Sequence, residues 1–159
     1  MENICEAGRS RTDIKDKRVL DIIDWCIDVY KRMFPGYDYD GLEFKENTSW
    51  SYLGRYNLPK SADGNGIIEM NSFAYDGSDD EEMKSTVLHE LGHYVDTMNK
   101  INDGTYYFMG GNWRCRRGEY KPHGSSWHRI VDRVARDTGI SIERTGNVEF
   151  KDHNGQSKQ

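Results

Sequence analysis

Between Asp13 and Phe34 the apolar positions Val19, Ile22, Ile23, Cys26, Tyr30 and Met33 recur at helical spacing. They predict a core-packing helix that Asp13 can cap and that Pro35-Gly36 ends, with Trp25 and Cys26 as packing groups. Three short extended segments are expected next, at Leu42–Lys45, Trp50–Tyr56 and Gly66–Asn71, separated by turn-rich stretches. A second helix starts at Ser78, where Ser78 and Glu81 have capping-box spacing and four acidic residues suit the positive end of the helix dipole. Its apolar stripe is Met83, Val87, Leu91, Val95 and Met98. Residues 99–122 read as irregular. Ser125 then caps a third helix with Trp127, Ile130, Val131, Val134 and Ala135 on one face, closed by Gly139, and Ile140–Ile142 reads as a further extended piece.

Composition narrows the class. A chain of 159 residues is one domain's worth, with 13–145 as the folded unit, 1–12 as a loose arm and 146–159 as a polar tail. The 12% aromatic content is too rich for disorder, and a net charge of −5 excludes wholesale polyanion binding. No apolar run approaches the ~20 residues of a membrane span, and the first residues lack a signal-peptide core. Cys5, Cys26 and Cys115 are far apart and form no CxxC pair, which points to a reducing, cytoplasmic setting without a cysteine zinc site.

The chemistry concentrates in His89-Glu90-Leu91-Gly92-His93 on the second helix. Histidines four apart on a helix point the same way and can bind one metal ion. Glu90 is rotated about a quarter turn from His89, where a carboxylate can take a proton from water at the metal and pass it to a leaving amine. Gly92 costs its helix about 1 kcal/mol relative to alanine, which a close approach by another segment would explain. A catalytic zinc site needs a third protein ligand and an open position. His153 lies in the polar tail and His128 sits off the apolar face of the third helix. His123, in the loop entering that helix, is placed to reach across. Asp96 is a candidate hydrogen-bond partner for a ligand histidine, which would fix its tautomer.

HELGH on one helix, followed by His123-Gly124-x-x-Trp127 opening the next, resembles the SprT-like zinc metallopeptidases. Gly54-Arg55 and Ile67-Ile68-Glu69-Met70-Asn71 look like that family's strand pair before the active-site helix, and the resemblance spans about residues 13–142. It implies one Zn²⁺ on His89, His93 and His123, with Glu90 as catalytic acid and base. The fold it implies is α+β, a minimal zincin with a small, mainly antiparallel sheet packed on the HExxH helix and helices flanking it. The expected activity is hydrolysis of peptide bonds in protein substrates, with the Ile67–Asn71 strand as the edge on which an extended substrate adds.

Three other readings stay open. The HELGHYVD string also resembles lethal-factor-like zincins, which would make Glu119 the third ligand. The zinc could instead be structural in a nucleic-acid-binding module, or the protease could be a narrowly specific effector. Residues 111–121 bear on the nucleic-acid reading: Arg114, Arg116, Arg117 and Lys121 interleave with Trp113 and Tyr120, a pattern suited to weak single-stranded DNA contact or to substrate contact.

Overall fold

The computed structural model describes residues 12–48, 52–116 and 120–144. The expected arm and tail lie outside these residues, except Thr12, which bridges to Phe44. The described residues form a small α+β domain in the order α1 (Lys17–Met33), β1 (Glu43–Asn47), β2 (Gly54–Asn57), β3 (Ile67–Asn71), α2 (Asp80–Asn102), β4 (Tyr106–Met109), β5 (Asn112–Cys115) and α3 (Ser125–Thr138). A 3₁₀ turn at Ser72–Ala74 links β3 toward α2. No helix among the described residues is long and apolar enough to cross a membrane.

The sheet order is β1-β3-β2, with β3 parallel to β1 and antiparallel to β2. This corrects the expectation that β3 is an edge. Its apolar pair Ile68 and Met70 is buried in the middle of the sheet, and β2 is an outer strand among the described residues. The second sheet is the antiparallel hairpin β4–β5, in a stretch expected to be irregular. Gly110 and Gly111 form its turn with φ of 64° and 80°, the two left-handed positions a tight type I′ hairpin needs. The Tyr-Tyr-Phe-Met and Asn-Trp-Arg-Cys strands on either side of Gly-Gly carry the hairpin signal in the sequence itself.

Three helix starts are shifted from their expected positions. Asp16, not Asp13, caps α1 by accepting from the Val19 amide at 3.2 Å. Asp13 is instead engaged with the sheet, accepting from the Glu46 amide at 2.9 Å. In α2 the capping box is Asp79 with Glu82, one residue beyond Ser78 and Glu81. The run Ser-Asp-Asp-Glu-Glu satisfies the spacing in both registers. Arg18 of α1 favours the observed one: its guanidinium bonds the carbonyls of Tyr75 and Ser78 and the Asp80 carboxylate. For α3 the N-cap is Gly124, with no side-chain cap, and Ser125 is the first helical residue. Gly139 closes α3 in the left-handed conformation, as expected. Ile140–Ile142 forms no strand, although Ile140 and Ile142 are both buried.

α2 is the centre of the domain, touching α1, α3, β2 and β4. Every residue from Thr86 to Thr97 is buried, so this stretch has no solvent face and its apolar stripe is only one of several covered sides. Gly92 permits this: a Cβ there would lie 2.8 Å from Val131 Cγ1, 3.0 Å from Trp127 Nε1 and 3.2 Å from the Tyr30 hydroxyl. The close approach expected from the sequence is that of α3 on one side and α1 on the other. Trp25, by contrast, is 37% exposed and lies under the Lys84 ammonium, so it is a surface platform more than a core residue. Gly92→Val should cost about 1–3 kcal/mol through overpacking, read as a lower urea midpoint with and without metal. An unchanged midpoint would mean that α3 can move aside freely.

Candidate metal centre

His89 and His93 lie one turn apart on the fully buried stretch of α2, and His123 reaches them from the loop that enters α3. Their Nε2 atoms form a triangle with sides of 3.3 Å (His89–His93), 3.1 Å (His93–His123) and 3.3 Å (His89–His123). These three side chains can hold a metal ion. A tetrahedral ion with bonds of about 2.0–2.1 Å sets its ligand nitrogens about 3.3–3.4 Å apart, so the triangle fits such an ion closely. No fourth histidine, cysteine or carboxylate joins the group among the described residues.

The protonation of the imidazoles is set by their surroundings. His89 Nδ1 lies 2.8 Å from the Glu143 carbonyl, which can only accept. The proton therefore sits on Nδ1, and the lone pair on Nε2 faces the other two rings. Burial lowers the pKa of His89 to about 3, partly opposed by that hydrogen bond. His93 and His123 are also shifted down by burial, with neighbouring histidines adding to the effect. All three rings are thus neutral donors at pH 7, the form a metal needs.

Trp127 organises the cluster. Its ring is fully buried and stacks on His93 at 4.9 Å and 12°, while His89 and His123 meet it edge-on at 4.7 Å and 4.8 Å. The sequence assigned Trp127 to a motif and an apolar face. That it touches all three imidazoles is visible only when α2 and α3 are brought together.

Glu90 is completely buried, and neither carboxylate oxygen has a hydrogen-bond partner. Its Oε2 lies 4.0 Å from His89 Nε2. Desolvation pushes its pKa up to about 8, with the Tyr56 backbone and the Arg55 charge pulling the other way. An orphaned carboxyl beside converging lone pairs is the signature of a site completed by a cation and by water. Gly54 of β2 makes room for it, since a Cβ there would meet Thr86 Cγ2 at 2.7 Å and Glu90 Cγ at 3.3 Å.

The remaining candidates are dispersed. Asp96 is buried, but its carboxylate pairs with Lys100 at 3.0 Å; the partner that orients a ligand histidine is the Glu143 carbonyl. His128 is half-buried against Trp127, outside the metal group. Trp113 lies on β5 and donates its indole N–H to the Pro59 carbonyl at 2.7 Å, fastening the hairpin to the loop after β2. Arg114 lies on the hairpin with its Nε 3.4 Å from the Met109 carbonyl, and Arg116 follows β5. Tyr120 is exposed with its ring 5.7 Å from that of Tyr106, and Lys121 is exposed nearby. Arg117, Glu119 and His153 lie outside the described residues. Comparison with protein-family models and with curated proteins returns no match.

The shifts predict how the metal-free chain responds to pH. Below about pH 6.5 the unfolded histidines take up protons that the folded ones refuse, so stability falls with acidification. Between about pH 4.5 and 8 the folded Glu90 keeps a proton that the unfolded residue has lost, so its own contribution falls as pH rises. Three histidines outweigh one carboxyl on the acid side, which puts the stability maximum of the chelator-treated protein near neutrality. Urea midpoints from pH 4.5 to 8.5 check this; a midpoint that keeps rising toward pH 4.5 would contradict the neutral, buried state of the three rings.

Proposed function

We propose that this chain is a zinc-dependent metalloendopeptidase of the SprT-like kind its motifs resemble, hydrolysing peptide bonds in protein substrates. The observation that carries this reading is the pairing of a three-nitrogen triangle with an unpartnered carboxyl 4.0 Å from one of its corners. The donor set suits Zn²⁺, because three imidazoles with no fourth protein ligand among the described residues match catalytic rather than structural zinc. When bound there, zinc supplies Lewis acidity toward the scissile carbonyl and toward water.

The residues of the chain supply the rest. His89, held in one tautomer by the Glu143 carbonyl, presents a fixed lone pair. Ionised Glu90 takes a proton from the attacking water as its oxygen bonds to the carbonyl carbon. It returns that proton to the amine nitrogen as the C–N bond breaks. Its buried surroundings keep other proton donors away, and a divalent cation held by the three histidines would favour the ionised form that takes up the first proton. β2, with its outer position and Gly54 against Glu90, replaces β3 as the strand along which an extended substrate would add.

Two variants separate metal binding from chemistry. Glu90→Gln should keep one zinc per chain by metal analysis and lose peptide hydrolysis by about 10²–10⁴-fold, the range for losing a general base. His123→Ala should lose zinc, whereas His128→Ala should not. Near-wild-type cleavage by Glu90→Gln, or full zinc in His123→Ala, would overturn the reading.

A further inference from the structure

A groove of about 680 Å³ opens beside the N-terminal half of α2, lined by Leu53, Phe73, Ala74, Ser85, Thr86 and Ser141 among others. Three of its lining residues lie close in sequence to residues at the candidate metal site. Leu53 precedes Gly54, whose Cα carries no side chain because Glu90 is there. Thr86 lies one turn before Glu90 on the same helix. Ser141 lies two residues before Glu143, whose carbonyl holds His89. A chain laid along β2 toward Leu53 would therefore pass Glu90 and then meet this groove.

The lining has a definite chemistry. Leu53, Ala74 and the 46% exposed Phe73 give it an apolar floor and rim. Asp79, Glu81 and Glu82 stand along one side, and no lysine, arginine or histidine lines it among the described residues. Asp79 and Glu82 are tied into the cap of α2, and Asp80 outside the groove pairs with Arg18. Glu81 takes part in neither arrangement and is exposed. Arg18 also bonds the carbonyls of Tyr75 and Ser78, so the wall that carries Phe73 and Ser78 is anchored to α1.

We propose that this groove is the specificity site of the enzyme, taking a bulky apolar side chain of the substrate polypeptide with a lysine or arginine two residues away, on the same face of the extended chain, against Glu81. The proposal rests on the peptidase reading and deepens it, since it names the class of sequence that is recognised. The apolar side chain fills the space between Leu53, Phe73 and Thr86, and the basic one meets a wall whose formal charges are all negative. The groove is larger than one side chain requires, which leaves room for the pair.

The test measures binding separately from turnover. Zinc-loaded Glu90→Gln is titrated with fluorescein-labelled decapeptides that differ only at two central positions separated by one alanine: Phe and Lys, Phe and Glu, or Gly and Lys. Chelator-treated wild-type protein is titrated in parallel, so that the result does not hang on one variant. The Phe/Lys peptide should bind at least about tenfold more tightly than either other peptide by anisotropy, a difference of about 1.4 kcal/mol. Glu81→Lys should reverse the order of the Phe/Lys and Phe/Glu peptides, and Ser85→Trp, which fills the groove, should abolish the advantage of Phe over Gly. Equal binding of all three peptides, no binding of any, or a preference untouched by both groove substitutions would overturn the proposal. Selective binding without cleavage by the wild-type enzyme would instead overturn the peptidase reading and leave the groove as a peptide-recognition site.

Discussion

Three buried polar side chains, His89, His93 and Glu90, meet a half-buried fourth, His123, and the arrangement of the other elements follows from enclosing them. An unpaired ionised group costs several kcal/mol to bury, and a neutral imidazole or carboxyl less. The chain keeps these groups uncharged in the absence of metal: the histidines are shifted down and the glutamate up, all by desolvation. The site is thus electrically neutral but rich in lone pairs. A divalent cation entering it meets neutral donors aligned in advance and a carboxyl whose proton it can displace. Preorganisation of this kind places the cost in folding, where the apolar core of α1, α2 and α3 offsets it, rather than in binding.

Enclosure on every side of α2 requires small residues at the two closest approaches. Gly92 admits Trp127 and Val131 from α3 and the Tyr30 hydroxyl from α1; Gly54 admits β2 to Thr86 and Glu90. A glycine in mid-helix costs about 1 kcal/mol, and here that loss is set against the contact of a fully buried tryptophan with three imidazoles. Tyr30 adds a hydrogen bond of 2.7 Å to the Leu88 carbonyl, so α1 is fastened to the helix backbone one residue before the first ligand. The capacity to hold a metal and the packing of the core depend on the same contacts. A substitution that loosens one loosens the other.

The legibility of this arrangement in the sequence follows what side chains can and cannot announce. The helices, their apolar faces and the His-Glu-x-x-His pair are periodic signals, and His123 stood out as an imidazole at a helix entrance. Helix starts were legible only to within one to three residues, because Asp13 and Asp16, or Ser78 and Asp79, offer equivalent caps until Glu46 and Arg18 choose between them. The β4–β5 hairpin is present in the sequence as Gly-Gly between aromatic segments, each only four residues long and too short for an apolar alternation to mark it as a strand. The central place of β3 depends on a parallel pairing with β1, which no local pattern encodes. The partner of His89 could not be read at all: it is a main-chain carbonyl at Glu143, contributed by conformation and not by residue identity.

β2 links the parts that sequence reading left separate. Its first residue, Gly54, abuts Glu90; the residue before it, Leu53, lines the acidic groove; the loop after it holds the hairpin through Trp113 and Pro59. The strand is only four residues long, so at about 3.3 Å per residue its whole length is on the order of 13 Å, comparable to an extended tetrapeptide. A polypeptide aligned with it would therefore have the groove at one end and the hairpin at the other, with Glu90 facing it near the groove end. The same acidic residues that favour the start of α2 then present negative charge to whatever enters the groove. The helix dipole acts on all of them within the first turn, and Glu81 is set apart by lying outside both the capping box and the Arg18 pair.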